Sequence, residues 1–133
     1  ASLEAQIVIK TALDLERNLK NLDQKVSTII DFLTSSGEEF ILYASGIHTQ
    51  RLLSRCPELI QFISKIVDSD ASRAGDSVAG HIVQKANPDI LKNQNILISS
   101  YAYQEDINNF LESECDTKKI FKLYENIISH ENF

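Results

Sequence analysis

The chain has 133 residues, 43% of them hydrophobic and 24% charged, with a formal net charge of -6. This is ordinary globular composition, long enough for one domain that buries about two-thirds of its unfolded surface, and it argues against a disordered chain. The acidic balance disfavours a nucleic-acid binder, whose affinity rests on Lys and Arg against phosphates, and no apolar run approaches the roughly 20 residues that span a bilayer.

Only four Gly and two Pro occur, and apolar residues recur at helical rather than strand spacing. Residues 3 to 22 carry Val8, Ala12, Leu15, Leu19 and Leu22 in one stripe widened by Ile9 and Leu13, which predicts a core-facing helix. A second, short helix follows with Val26, Ile29, Ile30 and Leu33 on one face. The segment TSSGEE breaks it, and Ser36 with Glu39 three residues on reads as a capping box. The third helix, 37 to 54, aligns Ile41, Ala44, His48 and Leu52. Pro57 sits at the first position of a fourth, whose buried face is Leu59, Ile60, Ile63, Ile66 and Val67.

Asp70 is the expected N-cap of a fifth helix built of small residues. Ala71, Ala74, Gly75, Val78, Ile82 and Ala86 form one face, with Arg73, Asp76, Ser77, His81, Gln84 and Lys85 opposite. Close approach of a neighbouring helix would explain the two glycines, so a large residue at Gly75 is expected to overpack. Asn87-Pro88 restarts the chain, and helices are expected over 88 to 103, 105 to 113 and 117 to 129. The fold class expected is therefore all-α: seven or eight short helices in a single domain, 1–133, complete or cut from a longer helical-repeat protein.

A shift of 33 residues places Val26, Ile29, Ile30 and Leu33 over Leu59, Phe62, Ile63 and Ile66, and His48 over His81. Periods of this size suggest stacked helical hairpins. Residues 56 to 83, CPELIQFISKIVDSDASRAGDSVAGHIV, resemble one armadillo or HEAT-type repeat. The features in common are Pro-Glu opening a helix, an aliphatic run, an acidic turn and a small-residue helix. The resemblance implies a stack of helical repeats with a scaffold role in binding protein segments; the alternative architecture is an irregular bundle without a true repeat. In armadillo repeats the last helix carries a peptide-binding Asn with a Trp one turn earlier; here those places hold His81 and Ser77.

Two isolated thiols, Cys56 and Cys115, lack any metal or redox spacing. They fit a reduced, intracellular and most simply cytoplasmic setting. The N-terminus does not read as a signal peptide, and the absence of Met fits either loss of an initiator or a piece of a longer chain. Cys115 lies among acids that raise a thiol pKa. His48 reads as a partly buried, hydrogen-bonded residue and His81 as a contact residue. Haem ligation by this pair is disfavoured because His81 shares its face with Arg73, Gln84 and Lys85. His48, His81 and His130 form no local ligand pair, so neither metal nor cofactor is expected.

No nucleotide-binding or hydrolase motif appears, and no catalytic residue is assigned. The expected function is non-catalytic protein–protein interaction, as a scaffold, adaptor or regulatory domain. The partner would engage the polar face of Arg73, Ser77, His81 and Lys85, or the acidic strip carrying Glu105, Asp106, Glu112 and Glu114. Self-association is compatible with the same surfaces. The alternative is a small regulatory helical domain that binds a ligand or cofactor between helices, with His48 as its buried polar contact.

Overall fold

A computed structural model describes residues 2–124, with the side chains of residues 7–11 and 15 left undescribed. It overturns the all-α expectation. The chain is an α/β domain with a five-stranded parallel sheet in the order β5-β2-β1-β6-β7. The strands are β1 (Phe40–Tyr43), β2 (Ile63–Asp68), β5 (Gln84–Lys85), β6 (Asn95–Ile98) and β7 (Lys119–Lys122). A two-stranded antiparallel hairpin, β3 (Ser77–Val78) with β4 (His81–Ile82), lies between β2 and β5. The helices are α1 (Leu3–Ser36), α2 (Ile47–Arg55), α3 (Pro88–Leu91) and α4 (Gln104–Glu114). The armadillo/HEAT resemblance fails with the fold class: residues 56 to 83 form a 3-10 turn, a sheet strand, a second 3-10 turn and the hairpin, not a pair of helices.

The two helices expected over 3 to 33 are one, because LKNLDQKV holds neither Gly nor Pro to break it. Ser2 caps its start through the Ala5 N–H (3.2 Å), and Gly37 ends it in the left-handed conformation (φ 70°), its N–H on the Leu33 carbonyl (2.9 Å). Thirty-four residues span about 51 Å, far longer than any strand beside it. Its second half supplies Leu22, Val26, Ile29 and Leu33 to the core, whereas Leu3 and Leu13 are exposed. Arg55 of α2 grips Asp23 of α1 with two 2.8 Å bonds and ties the two helices together.

The expected third helix contains the strand FILY, whose four residues are all buried. A strand covered on both faces is apolar without alternation, and helical and strand periods cannot be told apart over so short a run. Leu42 pairs with Ile66 on one side and Leu97 on the other, which puts β1 at the centre of the sheet. Phe40, Leu42, Ile66 and Leu97 face the α1/α2 layer; Ile41, Tyr43, Val67, Ile96 and Ile98 face the layer of α3 and α4. Three layers result, with the core split by the sheet.

The fifth helix is absent. Its glycines serve turns instead: Gly75 has φ 96°, and Ala79 (φ 49°) with Gly80 (φ 82°) forms the two-residue turn of the β3–β4 hairpin. Both central residues at positive φ define the type I′ turn that suits hairpin twist. A Cβ on Gly75 would meet nothing within 4 Å, so close helix packing does not explain it. The expected helix over 88 to 103 is α3 followed by β6, and 105 to 113 matches α4. The helix expected over 117 to 129 begins as β7, while Ile127 and Ile128 lie outside the described residues. Gln104, fully buried on α4, fixes the end of β7 by accepting the Leu123 and Tyr124 N–H groups (3.1 and 3.0 Å).

Candidate functional site

Chain order along the sheet reverses at β1. The chain runs from β1 outward through β2 to β5, then returns to β6 on the other side of β1. Loops leaving the carboxyl ends of β1 and β6 therefore diverge, one to α2 and the other to α4 on the opposite face. Such a switch point opens a crevice where ligands bind in open α/β sheets. Here it holds a cavity of about 590 Å³, within the range of small-molecule sites. Its apolar wall includes Ile47, Ile107 and Phe110, and its polar lining includes His48, Arg73 and Asp106.

The floor is the β1–α2 turn, Ala44-Ser45-Gly46. Ala44 has φ 97°, a conformation a non-glycine residue holds at a cost of about 1–3 kcal/mol. Its N–H donates to the Val67 carbonyl (2.8 Å). Its carbonyl lies 3.0 Å from the Thr49 hydroxyl and 3.2 Å from the Ser99 hydroxyl, which are themselves 2.6 Å apart and buried. Three elements thus hold the strained residue. Gly46 then opens α2 with no side-chain cap, so the amino end of that helix faces the crevice.

Asp68, the last residue of β2, holds the next residue. Its Oδ2 accepts the Ser45 N–H (2.9 Å) and the Ser45 hydroxyl (2.8 Å), while its Oδ1 accepts the Asp70 N–H (2.9 Å). Ser45 and Asp68 are both buried. Asp70 caps the turn Ala71–Arg73 by accepting the Ser72 hydroxyl (2.7 Å) and N–H (3.0 Å), and these bonds hold its carboxyl below the usual range. The turn swings Arg73 back over the floor. Its Nε lies 3.8 Å from Asp68 and from Asp70, beyond hydrogen-bond distance, and its guanidinium covers Gly46. Tyr43 donates or accepts at the Ser69 hydroxyl (2.6 Å), and burial pushes its phenol pKa up.

Tyr101 packs between His48, tilted against it, and Tyr124, which it meets edge to face, with ring centroids 5.7 and 5.1 Å away. Tyr103 lines the mouth and is 59% exposed. Burial raises both thiol pKa values, Cys56 and Cys115, which keeps them protonated at neutral pH. No group of His, Cys, Asp and Glu suited to a metal ion occurs among the described residues.

The residues singled out from sequence scatter across this structure. Arg73, from the turn after β2, and Asp106, from α4, both line the crevice. Ser77 and His81 sit on the hairpin, and Lys85 lies on the edge strand β5, where its ammonium reaches the Ser69 carbonyl. Glu105 pairs with Lys122 (3.4 Å), while Glu112 and Glu114 are exposed near the far end of α4. Arg73, Ser77, His81 and Lys85 therefore do not share a helix face. Ser45, Gly46, Asp68 and Ser99 escaped notice, although two apolar runs, ILY and KIVD, each end on small or acidic residues. Among the described residues no helix is long and apolar enough to cross a membrane. Comparison with protein-family models, curated proteins and solved structures returned no match.

Proposed function

We propose that this is a small-molecule-binding domain whose ligand occupies the crevice outside the carboxyl ends of β1, β2 and β6. The observation that carries the proposal is the coincidence of the cavity with the switch point and with the strained Ala44 turn. Strain of this kind is kept where surrounding bonds enforce it, and ligand clamps are among the places where it clusters. The arrangement relocates the regulatory, ligand-binding alternative from between helices to the edge of a sheet. No chemical step is assigned to the crevice.

The test is a thermal-shift panel of nucleotides, sugar phosphates and organic acids, followed by amide-shift mapping of every hit. Hits are expected to perturb residues 43–49, 68–73 and 100–110. Hits that map elsewhere, or none across the panel, would refute the proposal. Recognition of a protein partner through the acidic strip stands as a separate proposal. Reversing the charges of Glu112 and Glu114, neither of which lines the crevice, is expected to weaken capture of such a partner without altering the fold. Unchanged capture removes the strip from consideration.

A further inference from the structure

The crevice is apolar where Ile47 of α2 and Ile107 and Phe110 of α4 line it and charged beside the β2 loop, and this asymmetry constrains what can fill it. Building on the ligand-site proposal above, we propose that the ligand carries an oxyanion, a carboxylate or a phosphate monoester, held by Arg73. Its apolar body lies against Ile47, Ile107 and Phe110.

Arg73 presents a fork of donors and has no acceptor. Its two carboxylate neighbours, Asp68 and Asp70, approach Nε at 3.8 Å, outside hydrogen-bond distance. The terminal nitrogens of Arg73 lie 3.6 and 3.9 Å from the point where a Cβ on residue 46 would stand. Glycine there keeps a side chain from packing on the face of the guanidinium, whose in-plane N–H groups are what a bidentate oxyanion engages. Asp68 is poorly placed to recognise ligand hydroxyls instead, because three of its acceptor positions already hold Ser45 and Asp70. Asp70 is likewise occupied by Ser72. Asp106 lines the crevice from the first turn of α4, so a hydroxyl of the ligand that reaches it would donate to its carboxylate.

Three carboxylates and one guanidinium line the cavity, so the sign of the preferred head group is the decisive observable. Phenyl phosphate, phenylacetate, benzyl alcohol and benzylamine share one body and differ in the head. Each is titrated into the isotopically labelled chain while the Gly46 amide is followed. Both anions are expected to bind about tenfold more tightly than the alcohol, with benzylamine weakest, and added salt should weaken the anions. The tighter of the two anions names the source of the oxyanion.

Arg73→Gln should reduce both anions to the level of the alcohol, and Arg73→Lys should keep part of the advantage. Urea unfolding of each variant confirms that it is folded. Benzylamine binding as tightly as the anions, anion binding that rises with salt, or an unchanged Arg73→Gln would overturn the oxyanion. If all four probes bind the crevice equally, the ligand site survives and the oxyanion fails. If none perturbs the crevice, both fail.

Discussion

Replacing Asp68 by Ala tests how the floor of the crevice is held. The carboxylate accepts three hydrogen bonds of 2.8–2.9 Å, two from Ser45 and one from the Asp70 backbone. Bonds to a charged acceptor contribute about 1.5–3 kcal/mol each, but they act as a unit and do not sum. Removal also relieves the cost of burying a carboxylate, which offsets part of the loss. What remains is dominated by the Ser45 N–H, buried and without its acceptor, at about 1–3 kcal/mol. A net loss of about 3 kcal/mol follows, a large share of the 5–15 kcal/mol typical of a domain, that is, on the order of a third. Urea unfolding followed by circular dichroism reads it as a lower midpoint at unchanged slope. Asp68→Asn keeps one acceptor and should lose less. Ser45→Ala removes the hydroxyl bond alone, and the double variant should show a coupling of about 1 kcal/mol. A loss below about 1 kcal/mol for Asp68→Ala, or strict additivity with Ser45→Ala, refutes this account of the turn.

Ala79→Asn should raise stability by about 0.5–1 kcal/mol in the same assay, because Asn tolerates the left-handed conformation that Ala79 holds at φ 49°. Gly75→Ala and Gly75→Leu should cost the same, on the order of 1 kcal/mol, since the penalty lies in φ and the space around it is open; a far larger loss for Leu would restore an overpacked site. The folded-state pKa values of Asp23 and Asp70 are lowered, by Arg55 and by Ser72 respectively. Their contribution is therefore present above the ordinary carboxylate pKa of about 4 and is lost as pH falls through the lowered folded values. The urea midpoint should drop below pH 4, and Asp70→Asn should shrink that drop. Burial raises the Cys56 pKa, so iodoacetamide at pH 8 should modify it at least about tenfold more slowly than free cysteine, as mass spectrometry of the timed reaction would show.

Helical spacing was informative in part. Val26, Ile29 and Leu33 pack into the core as expected, and α4 lies within a residue of its expected span. Of the stripe expected to face the core over residues 3 to 22, however, Leu22 is buried while Ala12 and Leu13 are exposed. Asn87 caps the turn that Pro88 opens, through the Ile90 N–H (3.1 Å), as its sequence position implied. The strands were misread for one physical reason. Four-residue runs such as FILY and NILI are buried on both faces, so they lack the alternation that marks a half-exposed strand. Embedded between true helices, they supply i and i+4 matches by chance: Ile41 and Ala44 aligned with His48 only because a strand gives way to a helix at residue 47.

The hairpin failed differently. Its turn carries Ala-Gly where Asn-Gly or Asp-Gly would have signalled it, and small residues then passed for a packed helix face. Of the crevice, His48 was legible as a ligand's polar contact, while Arg73 and Asp106 were legible as charged residues but were assigned to two separate surfaces. Only the crossing from β2 to β5 and back to β6 brings their loops to one edge of the sheet. Ser45 and Ser99 could not be singled out, since a buried serine acquires its role from a turn that tertiary structure imposes.

The most direct test of the ligand site is Gly46→Ala. Gly46 has φ -83° and ψ -160°, open to any residue, and its Cβ would meet the Arg73 guanidinium at ordinary contact distances of 3.6–3.9 Å. Folding should therefore lose no more than about 1 kcal/mol, the usual cost of Ala at a helix N-cap. The added methyl occupies the floor on which the ligand rests, so the affinity for phenyl phosphate should fall at least about tenfold, a loss of 1.4 kcal/mol or more. Titration of the folded variant with unchanged affinity would place the ligand elsewhere and contradict the account.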